Sequence, residues 1–218
     1  MLTFVVPTFA QMFVDMGGSL PLPTKIVMDI SSFLQRFFLL IIAALAGLVF
    51  LLSYYYKTEN GRLRLDALKL KIPVFGDLER KSSISRFAQT LSTLLSSGVT
   101  IIDSLSITAK TAGNKVLEKG IIKTLERITG GLTIAEPLKE TGVFPPMVIH
   151  MISVGEKTGD LAEMLKKIAE FYQEEVEAAI DALTSVIEPI MIIVMGVVIG
   201  GILIAMYLPM FDMIGTIK

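Results

Sequence analysis

Two long stretches of this chain carry no charge. Phe37–Tyr56, "FFLLIIAALAGLVFLLSYYY", runs for twenty residues, and Pro189–Phe211, "PIMIIVMGVVIGGILIAMYLPMF", for twenty-three. A helix rises about 1.5 Å per residue, so about 20 residues cross a hydrocarbon core of ~30 Å. Both stretches are therefore predicted to be membrane-spanning helices. Core helices of soluble proteins rarely go so long without a charge. Between them, residues 57–187 place apolar side chains at helical spacing, and no run alternates β-branched residues as a strand would.

Glycine, proline and capping signals divide that middle region into six helical segments. The first, Asp77–Ser97, stops at Gly98, suited to a left-handed C′ turn. Ile101–Thr111 stops at Gly113-Asn114, and Lys115–Thr129 at Gly130-Gly131. Thr133-Ile134-Ala135-Glu136 reads as a Thr-x-x-Glu capping box opening a short fourth helix that ends at Gly142. Phe144-Pro145-Pro146 starts the fifth, which is expected to end at Gly155. Asp160-Leu161-Ala162-Glu163 starts the sixth, and Leu161, Leu165, Ile168, Tyr172 and Val176 keep its apolar face. That helix is expected to continue to the membrane, with a break at Pro189. Ahead of the six, Arg62–Lys71, "RLRLDALKLK", suits either a basic connector lying on the membrane surface or a short helix packed on the bundle.

Charge orients the chain. Lys57, Arg62, Arg64, Lys69, Lys71, Arg80, Lys81 and Arg86 follow the first span, whereas residues 1–36 hold only Lys25 and Arg36. The positive-inside rule places the middle region in the cytoplasm, with Tyr54, Tyr55 and Tyr56 at the inner interface. The expected fold is thus all-α: a cytoplasmic six-helix bundle flanked by two transmembrane helices. Its parts are an extracytoplasmic segment (1–36), a span (37–56), the bundle (57–187), a second span (188–211) and an extracytoplasmic tail (212–218). The N-terminus, "MLTFVVPTFAQMF", has no basic n-region or cleavage site and reads like the tail of a membrane helix entering a loop. The chain is expected to begin part-way through a longer protein.

Composition narrows the chemistry. Of the 218 residues 52% are hydrophobic, and mean hydropathy is +0.66. There is no cysteine, hence no thiolate nucleophile or cysteine metal site. The single histidine, His150, reads as an ordinary helix residue. A net charge of −1 provides no basic field for nucleic acid. No catalytic, cofactor-binding or metal-binding residues are assigned. Neither span contains a charge, which argues against an ion or proton path.

Three features invite a functional reading. Val154–Asp160, "VGEKTGD", superficially resembles a phosphate loop. Such a loop needs Gly-x-x-x-x-Gly-Lys, but here Glu156 precedes Lys157, no glycine lies five residues before Glu156, and the flanks are helical. The spacing suits a turn between helices, with Gly155 ending one and Asp160 capping the next. Glu156, Lys157 and Thr158 are then solvated residues or a contact surface. Glu170, Glu174, Glu175, Glu177 and Asp181 form an acidic run without an evident counter-charge. It is a solvated face or a dock for a basic partner or divalent cation. In the second span, Gly196-x-x-x-Gly200, with Gly201 and Ala205, forms a small-residue stripe of the kind that lets helices approach, and Ala43-x-x-x-Gly47 does so in the first. Glu188-Pro189, at the mouth of the second span, is a structural interface residue pair or a coupling point.

Three segments taken together resemble one family: "SRFAQTLSTLLSSGV" (Ser85–Val99), "FPPMVIHMISVGEKTGDLAEML" (Phe144–Leu165) and "IEPIMIIVMGVVIGGILIAMYLPMF" (Ile187–Phe211). The family is the type II secretion F family, the polytopic inner-membrane platform proteins of type II secretion systems and type IV pilus machines. "AMYLPMFDM" and "VVPTFAQMFVDMGGSLPLPT" look most like the pilus branch. The resemblance runs over essentially the whole chain. Family members carry two related cytoplasmic helical domains and three spans, and this sequence resembles the second domain with the last two spans. The resemblance implies a six-helix bundle, no enzymatic activity and location in the bacterial inner membrane. It implies as partners a cytoplasmic pilus or secretion ATPase, pilin or pseudopilin transmembrane helices and other inner-membrane platform proteins, with self-association into a homo-oligomer. It marks Gly155, Glu156, Thr158 and Gly159 as a family signature and candidate partner contacts, alongside Glu188 and Pro189, with Gly196, Gly200 and Gly201 for membrane packing.

The leading expectation is a non-enzymatic coupler of ATPase motion to pilin insertion or extraction. The alternatives are a small membrane permease or channel subunit, disfavoured by the apolar spans, and a membrane-anchored nucleotide-binding enzyme, disfavoured by the loop spacing.

Overall fold

The computed structural model describes residues 22–128 and 133–216. Eight helices cover them: α1 (Leu22–Tyr56), α2 (Glu59–Lys69), α3 (Phe75–Ser96), α4 (Ile101–Thr111), α5 (Lys115–Ile128), α6 (Ala135–Glu140), α7 (Pro146–Thr158) and α8 (Leu161–Thr216). No strand occurs among the described residues, so the fold is all-α as expected. The stop at Gly130-Gly131, residues 1–21 and residues 217–218 lie outside the described residues. The chain divides into two compact units. One is Ser53–Leu183; the other is formed by Met1–Leu52 and Thr184–Lys218.

Within Ser53–Leu183 the packing follows the hydrophobic spacing. Ile84, Phe87, Ala88 and Leu91 line one face of α3 and are fully buried or nearly so. They meet Leu105 and Ala109 of α4, Leu117 and Ile121 of α5, Leu138 of α6, Val148 and Ile152 of α7, and Leu165 and Ile168 of α8. Phe87 stacks in a tilted arrangement on Phe144, with ring centroids 5.0 Å apart. Each of the larger side chains (Val, Leu, Ile, Phe) contributes roughly 1.5–3 kcal/mol by burial, offset by the entropy of ordering it. Polar residues on the next face of α3 dock α8. Ser85 Oγ donates to the Ala169 carbonyl at 3.3 Å, and Ser92 Oγ to that of Ala162 at 2.8 Å. Small hydroxyls seven residues apart, two helical turns, allow that close approach.

Local chemistry explains most boundaries. Gly98, Gly113 and Gly142 all adopt positive φ just past their helices. After α3, the Val99 N–H reaches the Leu94 carbonyl and the Gly98 N–H the Leu95 carbonyl, the paired bonds of a Schellman stop. Thr58 Oγ1 accepts from the Gly61 N–H and Thr100 Oγ1 from the Asp103 N–H, capping α2 and α4. The Arg62–Lys71 connector is a helix of the bundle, α2, which packs on α3 and α5.

Three sequence expectations are corrected. The fifth helix does not stop at Gly155. It continues as α7 to Thr158, and Gly159, at φ 79°, makes the left-handed turn. Helix α6 does not use the Thr133 capping box. Its first turn follows Ile134, and no side chain at that position caps it. Finally, α8 shows no break at Pro189, remaining helical from Leu161 to Thr216.

The second unit has the opposite character. Leu39 is 81% exposed, Phe50 72% and Val197 70%. The most apolar window of each long helix has no buried residue, whereas a soluble core helix of that composition would be mostly buried. The two segments meet where Thr24 Oγ1 donates to the Ala205 carbonyl at 3.0 Å, both residues being 2% exposed.

Candidate functional site: a clamped turn and a buried carboxylate

The VGEKTGD stretch is the end of α7, a turn, and the last residue before α8. A Cβ on Gly155 would lie 2.9 Å from Leu161 Cα and 3.1 Å from Met164 Cγ. The glycine therefore lets α7 and the start of α8 touch, where any larger residue would force them apart. Gly159 has open space around it and is needed for its positive φ instead. Thr158 Oγ1 bonds back to the Val154 carbonyl at 3.0 Å, tightening the last turn. Asp160 is exposed, and its carbonyl accepts from the Met164 N–H. Lys157 is exposed.

Glu156 turns inward. Its Oε2 accepts from the Ala135 N–H at 3.0 Å and its Oε1 from the Ile134 N–H. A carboxylate from α7 thus satisfies two donors at the N-terminus of α6, where the helix dipole also favours negative charge. This replaces the local box that Thr133 and Glu136 suggested. The side chain of Glu156 is thus committed to the backbone N–H groups of Ile134 and Ala135, at the start of another helix.

A second constellation escaped the sequence reading. Asp66 of α2 is 1% exposed. Its Oδ1 accepts from the Tyr56 hydroxyl and the Lys69 ammonium, each at 3.1 Å, and its Oδ2 from the Lys115 backbone N–H at 2.9 Å. Arg62 Nε lies 3.8 Å away. The Lys69 ammonium also lies 4.7 Å from the centre of the Tyr56 ring, and the Arg62 guanidinium 5.7 Å. Asp66 and Asn114 together cap α5, since Asn114 Oδ1 accepts from the Val116 N–H at 2.9 Å. Burial pulls the Lys69 ammonium down, but the hydrogen bond and charge of Asp66, with Tyr56 adding to them, outweigh it and hold Lys69 above its ordinary value. The result ties Tyr56, the last residue of α1, to α2 and the start of α5. A signal existed in the sequence: one acid in "RLRLDALKLK", with Arg62 four residues before and Lys69 three after.

The acidic run is less bare than expected. Lys81 of α3 reaches Glu175 Oε2 at 2.8 Å and Asp77 Oδ2 at 3.0 Å. Hydrogen bonds to Glu175 and Asp77 raise the Lys81 ammonium above its ordinary value. Glu170 pairs with Lys166 at 4.0 Å, and Glu177 accepts from the Gln173 amide. Glu170, Glu174 and Glu177 line a shallow groove with Arg86. Among the described residues, no cluster of three or more His, Asp or Glu is arranged to hold a metal. His150 is exposed on α7.

The remaining site residues lie in the second unit. Glu188 and Pro189 are exposed within α8. Among the described residues, Gly196, Gly200, Gly201 and Gly47 have no heavy atom from outside their own stretch of helix backbone within 4 Å of the position a Cβ would take. Among the described residues nothing covers the stripe, and only Ala205 at its far end is buried.

These features define an all-α membrane protein: a closed helical bundle plus two long helices with bare apolar surfaces. Residues 87–209 match the family described as type II secretion system (T2SS), protein F, and the chain belongs to that family. It is 46% identical over 214 residues to the type IV pilus assembly protein PilC of Myxococcus xanthus, covering 98% of this chain and 51% of that protein. It is 45% identical over 222 residues to PilC of Thermus thermophilus, covering 100% of this chain and 54% of the relative. Against the type II secretion system protein F of Pseudomonas aeruginosa, identity is 32% over 213 residues, with 98% of this chain and 53% of that protein covered. The chain thus spans about half the length of the curated relatives it matches.

Proposed function

We propose that this chain is the bundle-and-two-spans portion of an inner-membrane platform protein, acting without catalysis in a pilus or secretion machine. Residues 57–187 face the cytoplasm, by the basic bias after the first span, and receive force from the machine's ATPase. Helix α8 passes the motion into the bilayer. Pilin or pseudopilin helices, or a second copy of the platform, are engaged on the stripe of Gly196, Gly200 and Gly201. Nucleic acid has no part in this reading.

One observation carries it beyond family kinship: α8 stays helical through Glu188 and Pro189, from its packed start at Leu165 into its bare apolar end. A continuous helix transmits displacement, whereas a flexible joint absorbs it. Inserting a short glycine linker after Pro189 in the full-length protein should abolish pili or secretion while membrane levels hold. A helix-preserving alanine-rich insertion of two full turns should retain part of the activity. Wild-type assembly with the glycine linker would refute the lever. Co-purification of the ATPase with both variants separates loss of transmission from loss of docking.

A further inference from the structure

The loop joining α2 to α3 is built in an unusual way. Lys71 to Phe75 are five consecutive exposed residues, and four of them, Ile72, Pro73, Val74 and Phe75, are apolar. Val74 is 59% exposed and Phe75 61%. Val74 has φ 69° and ψ −57°, the only positive φ outside glycine among the described residues. The Phe75 N–H bonds to the Pro73 carbonyl at 2.9 Å, closing a three-residue γ-turn of the rarer, strained hand. A β-branched residue is poorly suited to that conformation.

The loop is nonetheless locked. The Gly76 N–H bonds to the Ile72 carbonyl at 2.7 Å, and a Cβ on Gly76 would fall 2.4 Å from the Leu70 carbonyl oxygen. Glycine here lets the chain fold tightly on the end of α2 and pushes Val74 outward. Strain of this kind persists only where surrounding structure enforces it, and it concentrates at functional positions. The apolar knob it presents contributes nothing to the bundle core.

Its surroundings identify what it meets. The knob follows α2, whose Lys69 and Arg62 lie over the ring of Tyr56, the final residue of the first uncharged stretch. Ile72 and Phe75 also share an open groove with Val176 and Ile180 of α8, the latter lying nine residues before the second uncharged stretch. The loop thus lies, within the bundle, close to Tyr56 and to the part of α8 that precedes its uncharged stretch. Residues 57–81 hold seven basic side chains against four acidic ones, in a chain whose net charge is −1. Apolar tips flanked by lysine and arginine match the interface of an anionic bilayer, where phosphates attract the cations and the acyl boundary accepts the apolar groups.

We propose that the Ile72–Phe75 tip inserts into the headgroup layer of the membrane, with Arg64 and Lys71 against anionic lipid phosphates. This contact pins the bundle to the bilayer at a point separate from the two spans and does not depend on which machine the protein serves. The natural absence of cysteine makes the test direct. The whole chain is placed in nanodiscs of phosphatidylcholine and phosphatidylglycerol, with an environment-sensitive fluorophore on Phe75→Cys or, as a control, on Lys157→Cys. Headgroup-nitroxide lipid should quench the Phe75 probe several-fold more strongly than the Lys157 probe. Aqueous iodide should quench it several-fold less. Equal quenching at the two positions would overturn the proposal and leave the tip to a protein partner. Arg64→Gln with Lys71→Gln should reduce the lipid quenching in the anionic discs and leave it unchanged in phosphatidylcholine alone. No reduction in the anionic discs would overturn the phosphate contact.

Discussion

The two units of this protein use the same residue type for opposite ends. In the bundle, Gly61, Gly76, Gly120 and Gly155 each sit where a Cβ would press on a neighbour, as at Gly61, 2.1 Å from the Tyr55 carbonyl oxygen. In the apolar unit, no described neighbour lies where a Cβ on Gly47, Gly196, Gly200 or Gly201 would go. Small residues in the bundle are spent on contacts the chain makes with itself. Those on the apolar helices leave room for something else. The polar groups tell the same story. Asp66 and Glu156 are turned inward and engaged by backbone and side-chain donors, while the two uncharged stretches hold no charged group to engage. One unit is closed, the other is a surface.

The comparison can be broken from the bundle side. The largest effect is expected at Asp66. Asp66→Ala strips the Tyr56 hydroxyl, the Lys69 ammonium and the Lys115 N–H of their shared acceptor, and should destabilise the bundle by about 3 kcal/mol, read as a lowered melting temperature of the purified protein. Asp66→Asn should lose less, because it keeps an acceptor. Next is Glu156→Ala, which frees two helix N-terminal donors and should remove about 1–2 kcal/mol, with faster hydrogen exchange concentrated at Ile134 and Ala135. If protection there were unchanged, Glu156 would be a contact residue as the sequence alone allowed, and the clamp would be wrong.

A smaller effect is expected at Lys81. Its link to Glu175 ties α3 to α8 at a half-exposed site, so Lys81→Met should remove only about 0.5 kcal/mol. The sign with pH follows from its raised value. The contribution is fully present below about 10.4, the unfolded lysine value, and is lost as pH climbs through the higher folded value. Urea titrations of wild type and variant should therefore converge in strong alkali and differ at neutral pH. The smallest effect on the bundle is expected from Gly196→Leu. It has no neighbour to displace among the described residues, so melting should not change, while association in the membrane should weaken.

Much of the fold was legible because its signals are local. Helical spacing, uncharged length, and Gly98, Gly113 and Gly142 past their helices all report within a few residues of what they determine. The misses came where two physical uses share one residue type or where a partner is distant in sequence. Gly155 and Gly159 are four apart, and both suit a helix stop. Only the neighbouring helix distinguishes the packing glycine from the turning one. Thr133 and Glu136 satisfy a local capping rule, yet the cap comes from Glu156, about twenty residues on, which no local pattern can report. Asp66 was hidden for a similar reason. Its partners come from the end of one helix and the beginning of another, on either side of α2 in the chain. Pro189 removes one donor from α8, but a single missing bond does not end a helix of 56 residues.

The contrast between a closed bundle and an open membrane surface is tested most directly by cysteine crosslinking in membranes of cells carrying the full-length protein. The chain has no cysteine of its own, so Gly200→Cys and Val198→Cys, on roughly opposite faces of α8, each report one face. The open stripe predicts that Gly200→Cys crosslinks to a second transmembrane helix in high yield and Val198→Cys does not. Equal or reversed yields would contradict the assignment of the glycine face as the surface this protein offers to its partners.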